Sequence, residues 1–486
     1  MRKLTTKRKA LVKLITVYAF MTLAVVTIVA IISLFVLGFR FNADDGRIEQ
    51  YAFLQFATSP KNATVTVDGE VISSKTPNKS TVREGRHNVV MSLDGYQTWS
   101  KSVDVKSGTI TWLNYVILVP DTNVAESVAN YESIYSTLTA PKSRNMLIQL
   151  KSDTPTYNLV DISSDAIKTT KITIPADTYG QSGVAGVAHT FNSYKWDDGG
   201  RYVLINHIYG DKNEWLVLDT QDVVVTKNIT RLLNVSISSI SFSGTSGNDF
   251  YALNGSDIRK LDLAAGTLSK ALVSNVDSFE VYNSNIITYT GTGANGSRVA
   301  GLYREGDSSL HILKTTSSTD STLHITTTNY YNENYIAISD GKKVEITCGN
   351  YPNTVAENTT SMKSFASFDS TVDVQNLSFS LTGEYILAQS GAYFASFDLE
   401  NKHLTSSNID GAGDVSTIKW LDNSNLWSDK GGNLVVRDFD GINSHIINSV
   451  VSGQDVALTT SKKYLYSIGK TNTGYQLQRV LMITKS

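Results

Sequence analysis

Two short stretches have the spacing of familiar chemistry. Residues 291–296 read GTGANG, a literal G-x-G-x-x-G, in which glycines let the backbone approach a pyrophosphate at the start of a helix. The flanking IITYT and SRVAGLYRE are both strand-like, so the stretch reads as a hairpin loop, and no cofactor is expected. Residues 438–443, DFDGIN, set three oxygen-bearing side chains at calcium-loop spacing. The Glu that closes such a loop is missing, and no metal is expected there. In TNYYNENY, Tyr330, Tyr331 and Tyr335 form a candidate aromatic patch for a peptide or glycan, with cross-strand or core packing as the competing reading. There is no G-x-S-x-G, H-E-x-x-H or phosphate-binding loop, and seven histidines are scattered from His87 to His445. No catalytic residue is assigned.

The remaining reactive types are equally sparse. Cys348 is the one cysteine, which excludes an intramolecular disulfide and a multi-cysteine metal site. Eight Asn-x-Ser/Thr triplets (at Asn62, Asn78, Asn228, Asn234, Asn254, Asn295, Asn358 and Asn376) follow from a chain rich in Asn, Ser and Thr, and read as composition. The 486 residues exceed the size of a single core, so several domains are expected. With 24 Tyr, 33 Gly and only 7 Pro the composition leans toward strands.

Charge is unevenly placed. Arg2, Lys3, Lys7, Arg8, Lys9 and Lys13 give the first 13 residues +6, so a net charge of −2 overall leaves −8 on the rest. Nothing in that distribution marks a nucleic-acid partner. From Leu14 to Phe39 there follow 26 residues without a charge, enough to cross a hydrocarbon layer of roughly 30 Å. The stretch is too long for a signal-peptide core and has no small-x-small site near Arg40. The expectation is an uncleaved transmembrane anchor, with the basic tail in the cytoplasm and everything after residue 40 outside.

Beyond the anchor, residues 51–119 alternate with period two: Val65 and Val67, then His87, Val89, Met91 and Leu93, then Trp112, Asn114, Val116 and Leu118. Asp68-Gly69 between ATVTV and EVI is a preferred type I′ hairpin pair. Gly85, Gly95 and Gly108 punctuate what reads as an antiparallel meander folded into a small β-sandwich. Tyr96 and Trp99 read as core, and His87 as a satisfied strand residue.

SPKNATVTVDGEVISSKTP, followed by VREGRHNVVMSLDGYQTW, resembles the PEGA domain, a β module of bacterial and archaeal envelope proteins. The resemblance runs through Ser59, Pro60, Ala63, Val65, Val67, Asp68, Gly69, Thr76, Pro77, Gly85, His87, Gly95 and Tyr96, with Asn62 a structural position of the motif. The family's Pro-Glu-Gly-Ala reads here Pro60-Lys61-Asn62-Ala63, and Asn is the residue after glycine that best tolerates a left-handed backbone. The resemblance implies a spacer or adhesion-like module without enzymatic activity.

After a linker or incoming strand over 120–140, one phrase recurs. SYKWDDGGRYVLI (193–205), SISFSGTSGNDFYAL (239–253), NLSFSLTGEYILA (376–388) and TIKWLDNSNLWS (417–428) each give a strand, a tight polar turn and a second strand. A third strand ending in an acid follows most of them, as in EWLVLDTQD, DIRKLDLAAG, AYFASFDLEN and NLVVRDFDG. Four-stranded units at this period, without helices, predict a β-propeller of seven or eight blades over 141–486. The repeat resembles WD-like and Tol-associated propellers in turns such as Trp196-Asp197-Asp198-Gly199 and Phe379-Ser380-Leu381-Thr382-Gly383, but lacks the Gly-His and Trp-Asp pairs of WD repeats, so no partner carries over.

The expected organisation is therefore a cytoplasmic basic tail (1–13), a transmembrane helix (14–39), a spacer (40–50), the β module (51–119), the linker (120–140) and the propeller (141–486). The expected role is recognition of an envelope protein or glycan by a membrane-anchored surface protein. The alternative is an extracellular propeller hydrolase or lyase acting on envelope polysaccharide or peptide.

Overall fold

The structure, a computed structural model, describes residues 2–42, 46–181, 186–307, 309–317, 321–358, 360–409 and 418–484. The chain forms two compact units, Met1–Asp121 and Thr122–Ser486.

The first unit opens with helix α1 (Arg2–Val36). Its segment Arg8–Val36 is long and apolar enough to cross a membrane. The helix stops three residues short of the expected Phe39. Gly38 takes φ +87°, and a Cβ there would lie 2.7 Å from the Tyr51 carbonyl oxygen, so the chain turns where only glycine fits. Phe39 instead begins β1 (Phe39–Asn42), which pairs with β2 (Arg47–Gln50), so the expected spacer is a hairpin.

Seven further strands build the module: β3 (Ala52–Ser59), β4 (Thr64–Val67), β5 (Glu70–Val71), β6 (Asn78–Val82), β7 (Gly85–Ser92), β8 (Trp99–Val105) and β9 (Ile110–Ile117). They form two sheets, β6-β3-β9 and β5-β4-β7-β8. The expected meander is corrected in one respect, because β3 and β9 pair in parallel. The phase of β9 is corrected too: Leu113 and Tyr115 are buried, while Asn114 is exposed and Trp112 only half-buried. A register shift between Phe56 and Thr58 then lets Val116, Ile117 and Leu118 all turn inward. Leu54, Phe56, Val65, Val89, Met91 and Trp99 fill the core.

Among the described residues the second unit is a propeller of eight four-stranded antiparallel sheets. Blades 1 to 7 span 136–173, 189–228, 239–268, 276–316, 323–369, 376–408 and 419–449. Blade 8 joins three strands from 457–481 to β10 (Ala125–Tyr131), whose Ala125 pairs with Val480 and Tyr131 with Tyr475. The stretch expected as a linker or incoming strand thus supplies the outermost strand of the last blade. Apolar clusters stitch consecutive blades together, as where Tyr157 of blade 1 packs with Phe191, Trp196 and Val203 of blade 2. The ring closes the same way, Met146, Ile148 and Val160 of blade 1 packing with Tyr466, Ile468 and Leu477 of blade 8.

Antiparallel order gives the propeller two ends. Turns between first and second and between third and fourth strands lie at one end; the other holds second-to-third turns and all blade-to-blade connections. The first is a capped end, where the acid ending the third strand accepts backbone N–H groups of the next turn. Asp161 accepts from Ser163 at 2.9 Å, Asp219 from Gln221 at 2.9 Å, Asp262 from Ala264 at 2.8 Å and Asp398 from Asn401 at 2.9 Å. The second is the crossover end.

Candidate functional site

In the module, the residues that carry the resemblance set backbone geometry. Asn62 has φ +72°, Asp68 +51° and Gly69 +86°, and Val67 pairs with Glu70 across the two-residue turn. The Asp68 carboxylate also accepts the Asn88 N–H at 2.8 Å and meets His87 Nδ1 at 2.5 Å, while His87 Nε2 lies 2.8 Å from the Arg83 carbonyl. Backbone and His87 hydrogen bonds hold Asp68 below the usual carboxylate range. Burial pushes the His87 ring toward neutrality, but its two hydrogen bonds prevail and its pKa stands above the ordinary value. Thr76 is buried and ties two turns together: its hydroxyl contacts Thr58 Oγ1 at 2.6 Å and accepts from the Ala63 N–H at 3.0 Å. Pro60 and Pro77 follow cis peptide bonds. Gly85 and Gly95 take positive φ, and Tyr96 is buried.

The three tyrosines separate. Tyr335 is core, packed edge-on against Phe365 at 5.2 Å. Tyr330 and Tyr331 sit at the capped end, where blade 5's first strand turns into its second, with ring centroids 4.6 Å apart. Tyr331 is 73% exposed and Leu381, in the adjoining turn of blade 6, 78%. That turn packs closely here, since a Cβ on Gly383 would meet Thr328 Oγ1 at 2.5 Å. The Tyr330 hydroxyl donates to Glu400 Oε2 at 3.1 Å. Burial, reinforced by Asp398 and Glu400, pushes Glu384 up to about 7, and burial beside Glu384 and Glu400 raises Tyr330. An exposed aromatic and aliphatic pair thus borders a cluster of partly desolvated carboxyls. Such a surface stacks on an apolar face and hydrogen-bonds hydroxyl or amide groups beside it.

At the crossover end of blade 2 the fold assembles a group invisible as a motif. His189, on the first strand, places Nδ1 2.9 Å from His207 Nε2 on the second, and His207 Nδ1 lies 3.2 Å from Glu214 Oε2 on the third. Gly180 N–H donates to the same Glu214 oxygen at 2.8 Å, and Tyr209 donates to its partner at 3.4 Å. Burial would raise Glu214, but bonds from His207, Gly180 and Asn228 outweigh it and keep the carboxyl below its usual range. With neutral rings the chain of donors runs His189 to His207 to Glu214, leaving His189 Nε2 with a free lone pair. His207 is fully buried, its ring stacked on Phe191 at 4.3 Å and Tyr209 at 4.8 Å. The expected scatter of histidines is thus corrected at this one place. The available signal was the hairpin HIYGDKNEW, whose Gly210-Asp211 turn sets His207 opposite Glu214.

Both remaining motifs lie at strand ends. GTGANG joins two paired strands, Thr292 opposite Arg298. In DFDGIN, Asp438 accepts from Asn425 Nδ2 at 3.2 Å and from Asn443 Nδ2 at 2.9 Å, which uses its carboxylate in the turn.

Residues 53–118 match the PEGA domain family. No curated protein matches the chain. Among solved structures, the β-propeller domain of Cps50 (Swd1) from Myceliophteria thermophila is similar at 12% identity, over 64% of this chain and 97% of that one, with TM-score 0.38. Hsv2 from Kluyveromyces lactis is similar at 10% identity over 73% and 100%, TM-score 0.41. An oligogalacturonate lyase in complex with manganese is similar at 10% over 74% and 98%, TM-score 0.39. This chain therefore carries a PEGA domain at residues 53–118, after an apolar helix and before an eight-bladed β-propeller.

Proposed function

We propose that this is a membrane-anchored surface protein, its N-terminus cytoplasmic, whose propeller recognises a protein or glycan of the cell envelope at its capped end, at Tyr330, Tyr331, Leu381 and Glu400. The observation that carries the reading is the exposed Tyr331 and Leu381 beside the Tyr330–Glu400 hydrogen bond. The PEGA domain, a module of envelope proteins, and the charge asymmetry about α1 support the location. A photo-crosslinking residue in place of Tyr331 in intact cells tests it. A partner captured there, and lost on Glu400→Ala, is expected; capture no greater than from exposed Val224 on blade 2 would sink the reading. Reporters fused to both ends read the orientation.

The Glu214–His207–His189 chain favours a second reading, an extracellular hydrolase or lyase in which His189 Nε2 takes a proton and the buried pair behind it holds the ring. Turnover of envelope polysaccharide or peptide, abolished by His189→Ala with the fold intact, would establish it.

A further inference from the structure

Where α1 meets the module, the first unit forms an open cavity of about 800 Å³ lined by Phe35, Val36, Arg40, Phe53, Val71 and Lys79 among others. Its level is set by the chain. The apolar part of α1 after Lys13 is about 35 Å long at 1.5 Å per residue, which matches the hydrocarbon layer of roughly 30 Å. Phe35 and Val36 are its last residues, so a cavity they line opens at headgroup depth. Among the described residues its lining holds two cations, Arg40 and Lys79, and no carboxylate. Arg40 donates to the carbonyls of Phe35 at 2.7 Å and Phe39 at 3.0 Å, with its guanidinium 3.5 Å over the Phe35 ring. That fixes the charge at the end of the span. Beside it the hairpin presents Phe41 opposite Ile48, 70% and 66% exposed, and Val71 on β5 is 68% exposed. Apolar side chains bared at this depth suit acyl chains better than water.

We propose that this cavity is a site for an anionic phospholipid, its phosphate between Arg40 and Lys79 and an acyl chain along Phe35, Val36 and Val71. The site fixes the module against the bilayer instead of leaving it to swing from the helix. This inference rests on the anchor reading, and its test separates the two.

The full-length protein is reconstituted in phosphatidylcholine vesicles carrying photoactivatable phosphatidylglycerol or, in a second arm, photoactivatable phosphatidylcholine. Labelling is read on the β5–β6 segment, residues 70–79, which lies outside the span. Preferential labelling by the glycerol lipid is expected, falling about fivefold for each cation removed in Arg40→Gln and Lys79→Gln and retained in Lys79→Arg. Equal labelling by both lipids, or no change in the double variant, in protein that still resists alkaline extraction overturns the lipid site and leaves the anchor standing. Release by alkaline extraction overturns the anchor and the site together.

Discussion

Glu384 is a carboxyl that the structure holds well above its ordinary range. Burial first, then Asp398 and Glu400, lift it from the usual carboxyl range to about 7. An acid with a raised folded pKa binds its proton more tightly folded than unfolded, so its contribution is intact below about 4.5 and is lost as pH climbs through 7. Glu384→Gln removes that loss. The stability of the variant relative to the parent should rise by about 2 kcal/mol between pH 5 and pH 8, measured by denaturant unfolding at both. In the module the pair Asp68–His87 works the opposite way. Raised His87 favours folding below its ordinary value of about 6.5 and loses that contribution as pH rises through the folded pKa; lowered Asp68 contributes above about 3.9 and loses it as pH falls through its own. Asp68→Asn should therefore shift the His87 ring titration down, as NMR can read. The geometry of these residues was legible because a two-residue Asp-Gly turn admits few backbones. Their charges were not, because burial and neighbours come from strands far apart in the chain.

Among the elements, the first three strands of blade 2 carry the most consequential polar group. Replacing His207 by Leu leaves Glu214 without its ring partner in a buried site and should cost about 3 kcal/mol, seen in a thermal scan, while the conservative His207→Gln should restore part of it. Gly180→Ala should disturb the same group from outside, since a Cβ there would stand 2.0 Å from the Tyr209 hydroxyl. The repeats themselves are readable from local pattern, and so are the acids ending third strands, but their turn-capping role depends on turn geometry that pattern does not carry. The parallel pair β3–β9 was not readable, because alternation tells which residues share a face and nothing about which strand lies alongside. His189 is not legible for the same reason, standing eighteen residues from its ring partner on a separate strand.

At the scale of the molecule, stability depends on closing the ring. Asp455 holds three blades: it accepts from the Thr139 N–H of blade 1 at 2.9 Å and from Lys419 of blade 7 at 2.9 Å, and its own N–H donates to Thr137 at 2.7 Å. Asp455→Ala should lower stability by about 2 kcal/mol and broaden the unfolding transition in calorimetry, because neighbouring blades uncouple there. Deleting residues 125–131 should do more, exposing the edge of the C-terminal strand Tyr475–Leu481 and driving self-association visible by light scattering.

That outermost strand also sets a timetable. Ala125–Tyr131 leaves the ribosome before any blade exists, yet its partner Tyr475–Leu481 emerges some 340 residues later, tens of seconds at ordinary rates of synthesis. Through that interval the nascent propeller is an open arc with two bare edges. A chain cut short anywhere in the last blade never closes, so its unpaired edge would mark the incomplete product for proteolysis.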